Sequence, residues 1–175
     1  MNVNNRKSVE EKLNECERKL EELERLKLVE QSVIAGLEEG GFSDKAIELF
    51  RYRKNFLLPD DSLKDEPDIV GSFTGACGDH VEMYLRIDQD IIKDAKFLTD
   101  GCPGAVTSAS ALTGLAMGKD IEDAEKLSVK SVVEYLKEGS RGLPKSMYDC
   151  CGIAVGSLRN AIKKYKNVKK FRKKL

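Results

Sequence analysis

Four of the five cysteines fall in three short, glycine-punctuated pieces, and this constrains the fold more than any other feature of the chain. The pieces are Gly71-Ser72-Phe73-Thr74-Gly75-Ala76-Cys77-Gly78-Asp79, Gly101-Cys102-Pro103-Gly104 and Asp149-Cys150-Cys151. Each lies beside a turn signal or a helix start. Soft thiolates with one nearby carboxylate are what a zinc ion or an iron–sulfur cluster binds. A chain that uses them so must bring three separate segments to one place.

The segments between these pieces have clear periods. Val81, Met83, Leu85 and Ile87 alternate with Glu82, Tyr84, Arg86 and Asp88, the two-residue period of a half-buried strand. Asp88-Gln89-Asp90 reads as a turn, Ile92 to Thr99 as the returning strand with Ala95 and Phe97 on one face, and Ile69 to Phe73 as a third strand. From Pro103 onward the chain reads as helical. Pro103 suits a first helical position, and Ala105 to Met117 is small and apolar, fit for close packing on a sheet. Asp120–Leu127 and Ser128–Lys137 read as shorter helices, and a last helix as running from about Cys150 to Lys166. The fold class expected is α+β, a three-stranded antiparallel sheet covered by helices, with an N-terminal long helix or helical hairpin.

That N-terminal helix is read over residues 8 to 38. Val9, Leu13, Cys16, Leu20 and Leu23 recur at alternating four- and three-residue steps, and Leu26, Val29, Val33 and Leu37 continue the stripe. Ser8 with Glu11 fits a capping box, and Gly40-Gly41 ends the helix. Cys16, on the apolar stripe, reads as a small buried hydrophobe. A second helix is expected from Ser43 to Lys54. The chain then divides as an N-terminal extension (1–41), a main domain (42–166) with an inserted surface loop (51–67) mobile at its tip, and a basic tail (167–175).

The chain has 175 residues, enough for one domain with a core plus an appendage. Thirty basic and thirty acidic residues cancel, so bulk charge does not nominate a nucleic-acid partner. No apolar run approaches the ~20 residues of a membrane span. The polar start, Met1 to Lys7, has no apolar segment behind it, so the expected compartment is a reducing cytoplasm. There, clustered cysteines are ligands or nucleophiles more often than disulfides.

Gly75 and Gly78 let the backbone bend, so Cys77 and Asp79 can point into one site. Cys102 precedes a helix, and Cys150 and Cys151 open another. Helix N-termini carry partial positive charge and free N–H groups, which favour thiolate. Cysteines from three loops plus Asp79 complete a four-ligand set. Cys150 and Cys151 point about 100° apart on a helix, so at most one is the regular ligand, and the other is spare or a sulfur relay. Asp149 reads as an N-cap. No C-x-x-C pair is present, and spacing alone leaves a metal site and scattered structural cysteines both open.

A family resemblance narrows this. Ile69-Val70-Gly71-Ser72-Phe73, Ala76-Cys77-Gly78-Asp79, Gly101-Cys102 and Leu143-Pro144 followed by Cys150 resemble the U-type iron–sulfur cluster scaffolds, IscU and the N-terminal domain of NifU. Phe42 to Phe50 is similar to that family's opening helix, and the likeness runs from about Phe42 to Lys166. The resemblance implies a transient [2Fe–2S] cluster held by Cys77, Asp79, Cys102 and Cys150, with Asp79 keeping it transferable. It implies that Cys150 accepts persulfide sulfur from a cysteine desulfurase, and that the cluster passes to recipient apo-proteins. On this view the protein is a scaffold or carrier rather than an enzyme, with sulfurtransferase activity as a possible addition.

The chain departs from the family in several places. Asp149 stands where the family usually has histidine, and Cys151 is an extra thiol, a candidate relay. Leu143-Pro144-Lys145-Ser146-Met147 replaces the segment read by an Hsp70-type chaperone, which puts that docking in doubt. His80 reads as an ordinary surface or rim residue, with orienting a ligand, or standing in for one, as its alternative. Two further readings stand beside the scaffold. One is a zinc-binding sulfurtransferase that partners a desulfurase, favoured by the missing histidine. The other is an interaction module whose long helix docks a partner, including another copy of the chain.

Overall fold

Strand alternation sets the centre of the molecule. The computed structural model describes residues 3–172, with side chains from Lys12 onward. It divides between Gly40 and Gly41 into two units.

The first unit is helix α1 (Val3–Glu39), one continuous element of 37 residues. It begins before Ser8, so that residue sits inside the helix. The side chains of the expected Ser8–Glu11 box lie outside the described ones. Cys16, expected to be buried, is exposed, as are the leucines of the same stripe.

The second unit holds the sheet: β1 (Ile69–Thr74), β2 (His80–Asp88) and β3 (Ile91–Thr99), antiparallel in the order β1-β2-β3. Val81, Met83, Leu85 and Ile87 are buried along β2, as their alternation predicts. Gln89 and Asp90 both have positive φ (50° and 65°), which lets a two-residue turn close β2 onto β3. On β3 the buried residues are Ile92, Ala95 and Phe97. The odd step from Ile92 to Ala95 is absorbed by a register shift opposite Arg86 and Ile87, which leaves Lys93 exposed.

Two helices lie on the buried face. Helix α4 (Pro103–Ala116) packs on β3, and α7 (Tyr148–Arg172) on β1 and β2, with α4 and α7 side by side. The seat of α7 is Gly71: a Cβ there would lie 2.7 Å from Ala161 Cα and would also collide with Ala161 N and Ser157 O. Glycine is required because the α7 backbone touches the strand directly. Helices α5 (Ile121–Glu125) and α6 (Val129–Leu136) flank α7, and α2 (Asp44–Tyr52) covers α4. Ser43 caps α2 by accepting from Ala46 N, and its hydroxyl donates to Leu136 O at 2.6 Å.

Three segments differ from the sequence reading. The 51–67 loop contains a short helix, α3 (Ser62–Asp65), capped by Asp61, and buries Leu57 and Leu63. It also follows the outer edge of β3, through Leu57 N to Phe97 O and Phe97 N to Asn55 O. Helix α7 is longer at both ends than Cys150–Lys166. At its start, a 3₁₀ turn at Lys145–Met147 runs straight into it, so Asp149 lies in the first turn and is not the cap. At its end the helix continues to Arg172, so the described part of the expected basic tail is the end of α7. Lys166 pairs with Glu122 and Glu125, and Lys169 with Asp90, which ties this end to α5 and the β2–β3 turn.

Candidate metal centre

The three cysteine-bearing pieces arrive at one end of the sheet. The first is the β1–β2 turn, closed by Gly75 N to Asp79 O (2.9 Å) and Gly78 N to Gly75 O (3.0 Å), with Gly78 at φ 91°. Cys77 is at its exposed tip, and Asp79 leads into β2. The second leaves β3 through Gly101, whose N–H donates to Thr99 Oγ1 at 3.0 Å; that hydroxyl donates to His80 O. Cys102 is the N-cap residue of α4 but makes no side-chain cap bond. Asp79 binds there instead, accepting from Cys102 N at 3.2 Å, a carboxylate placed at a helix N-terminus. The third is the first turn of α7, which carries Cys150.

Asp79, Cys102 and Cys150 present one donor atom each within 4.8 Å of one another. The two thiols are 3.6 Å apart. Two sulfurs bound at ~2.3 Å to one tetrahedral ion would be separated by about 3.8 Å, so the pair is already spaced for a shared metal. Cys77 is outside this group. It lines a neighbouring cavity of ≈ 510 Å³ together with Phe73, Tyr148, Asp149 and Ile153.

Room for the donors comes from missing side chains. A Cβ on Gly104 would lie 3.0 Å from Cys150 Sγ and 2.9 Å from Met147 Sδ, and one on Gly101 would lie 2.9 Å from the Asp79 carboxyl carbon. Neither glycine was assigned this part from the sequence, where both read only as turn signals. Their position immediately around Cys102 was the available clue.

The electrostatics reverse one expectation. The Cys150 thiol is pushed well above its ordinary value, not below it. Burial is the largest cause, followed by the hydrogen bond with Cys102 and the negative charge of Cys102, Asp79 and Cys77. The position at a helix start is outweighed because the sulfur faces inward toward other anionic groups. Burial also raises Cys151, despite its contact with Ser108 Oγ at 3.3 Å. Cys151 is fully buried and faces α4 rather than the three-donor group. His80 is engaged within the hairpin, with Nδ1 at 2.7 Å from Thr74 Oγ1 and Nε2 at 3.7 Å from Glu82.

An antiparallel meander backed by two helices, with two thiols and a carboxylate gathered at one end, defines a small α+β domain suited to a soft or borderline metal. Residues 42–172 match the NifU-like N-terminal domain, and the chain belongs to that family. It is 36% identical over 124 residues to the Archaeoglobus fulgidus iron–sulfur cluster assembly scaffold protein IscU 1, covering 71% of this chain and 76% of that one. It is 31% identical over 131 residues to the Azotobacter vinelandii iron–sulfur cluster assembly scaffold protein IscU, covering 73% of this chain and 96% of that one. The fold is similar to the crystal structure of a nitrogen-fixing NifU-like protein (N-terminal) from Brucella abortus, with a TM-score of 0.52 at 14% identity, covering 74% of this chain and 96% of that one.

Proposed function

We propose that the chain is an iron–sulfur cluster assembly scaffold that builds a transient [2Fe–2S] cluster and transfers it to apo-proteins. The observation that carries this is the convergence of Asp79, Cys102 and Cys150 to within 4.8 Å. Cys77, on the open turn beside them, is the fourth ligand. Asp79 supplies a hard oxygen donor among soft sulfurs, which keeps the cargo easier to release than four thiolates would.

Sulfur arrives from a cysteine desulfurase. The Cys150 thiolate attacks the outer sulfur of the desulfurase persulfide. That S–S bond breaks, the desulfurase cysteine leaves as thiolate, and a new persulfide forms on Cys150 with no net oxidation. Burial first, then the hydrogen bond with Cys102 and the charge of the groups around it, keep the Cys150 thiol protonated when no metal is bound. A bound cation offsets those charges, so iron entering at Asp79 and Cys102 prepares Cys150 to accept sulfur. A reducing cytoplasm keeps the thiols free for this.

Anaerobic incubation of the protein with iron(II), cysteine, a desulfurase and a thiol reductant, which supplies the electrons that turn persulfide sulfur into sulfide, tests the reading. The expected result is visible sulfur-to-iron absorbance and about one [2Fe–2S] per site. A colourless product overturns it. A second reading, a zinc-binding sulfurtransferase partnering the desulfurase, is favoured by Asp149 in place of histidine and by the 3.6 Å thiol pair. Tight stoichiometric zinc in protein purified without oxygen, with strong stimulation of the desulfurase, selects it.

A further inference from the structure

The long helix α1 carries an apolar seam whose flanking charges specify an occupant. Leu13, Leu20, Leu23 and Leu26 are each 54–58% exposed, and Cys16 beside them is exposed as well. Large apolar side chains in a row on one exposed helix face mark an interaction surface. In heptad terms Leu13 and Leu20 take position a, and Cys16 and Leu23 take position d. Lys12 and Lys19 then fall at g, and Glu17 and Glu24 at e. Charged residues on both flanks restrict this part of the seam to the narrow stripe that suits two helices.

We infer that α1 pairs with α1 of a second copy of this chain, as a parallel, in-register, two-stranded coiled coil. In that arrangement each g residue meets the e residue five positions later on the other helix. Lys12 therefore faces Glu17, and Lys19 faces Glu24, on both sides of the two-fold axis. An antiparallel pairing would set g against g and e against e, lysine on lysine and glutamate on glutamate. The charge pattern thus favours one partner and one orientation. Lys19 now pairs with Glu15 one turn earlier on its own helix, 2.7 Å away and exposed, a contact weak enough to be exchanged. Past Leu23 the apolar stripe steps by three to Leu26 and again to Val29, out of the heptad register, so the paired stretch is the one around Leu13 to Leu23.

Charge reversal in the full chain tests this by sedimentation at tens of micromolar, with circular dichroism confirming the fold. Wild type is expected at the mass of two chains. Lys12→Glu/Lys19→Glu and Glu17→Lys/Glu24→Lys, each alone, place like charges across the seam and are expected at one chain. Mixed in equal amounts, they are expected to recover the two-chain mass with one copy of each. A wild type at any other mass overturns the inference. So do variants that keep the two-chain mass, which would place the contact elsewhere, and so does a mixture that fails to pair.

Discussion

Cys150 and Cys77 lie at the same end of the sheet in opposite surroundings. Cys150 is buried on the first turn of α7, beside Cys102, in a space that exists because residue 104 is glycine. Cys77 is exposed at the tip of a glycine-bounded turn. One side of the site is fixed by the packing of α7 on β1, and the other stands open to solvent. For a scaffold the difference is useful, because a rigid side sets donor spacing and an open side lets cargo enter and leave.

The fixed side rests on Gly71, and the largest effect is expected there. Gly71→Ala forces a Cβ into the α7 backbone and is expected to lower unfolding stability by about 3 kcal/mol in urea titrations. An unchanged midpoint would show that α7 is not seated as described. The next contrast is direct. Cys150→Ala and Cys77→Ala are each expected to weaken zinc binding, used as a probe, at least ~100-fold in competition with a chromogenic chelator. Only Cys150→Ala should also alter stability, because changes at exposed positions stay within about 0.5 kcal/mol. Equal stabilities for the two variants would erase the distinction between the sides.

A pH series sharpens it further. The folded-state value of Cys150 is raised, so its thiol is neutral at pH 7 and a metal must displace the proton. Zinc affinity should rise with pH, and Cys150→Ala should reduce the proton release, measured by calorimetry in two buffers, by one proton. In the metal-free protein the same shift contributes stability that is full below the thiol's ordinary value of 9.0 and is lost as pH rises beyond it. The smallest effect is expected at Gly104. Gly104→Ala crowds Met147 and Cys150, whose side chains can give way, and should cost about 1 kcal/mol with roughly tenfold weaker zinc binding.

The strands were legible because alternation is a local signal: β2 could be read residue by residue. Ile92 was not assigned to the buried face with Ala95 and Phe97, because an extra residue in the ladder changes a strand's phase without marking the sequence. The 51–67 segment looked like loop because its second half, from Pro59 to Pro67, carries two prolines and four acids. Leu57 and Leu63 nevertheless find the core from it. At the site, the residues brought together were visible as cysteines beside glycines. The raised value of Cys150 was not, since a helix start predicts the opposite and burial against three anionic groups is a property of the folded arrangement. Asp149 misled in the same way. It has the chemistry of a cap, but the 3₁₀ turn before it carries the helix past that position.

The bond from Cys102 N–H to Asp79 gives the empty protein a resting state. The carboxylate already holds a donor and a favourable dipole when no cargo is present, so vacancy leaves no stranded charge. A metal held by Cys102 and Cys150 would find this carboxylate already oriented by the amide. The same bond ties the β1–β2 hairpin to the start of α4.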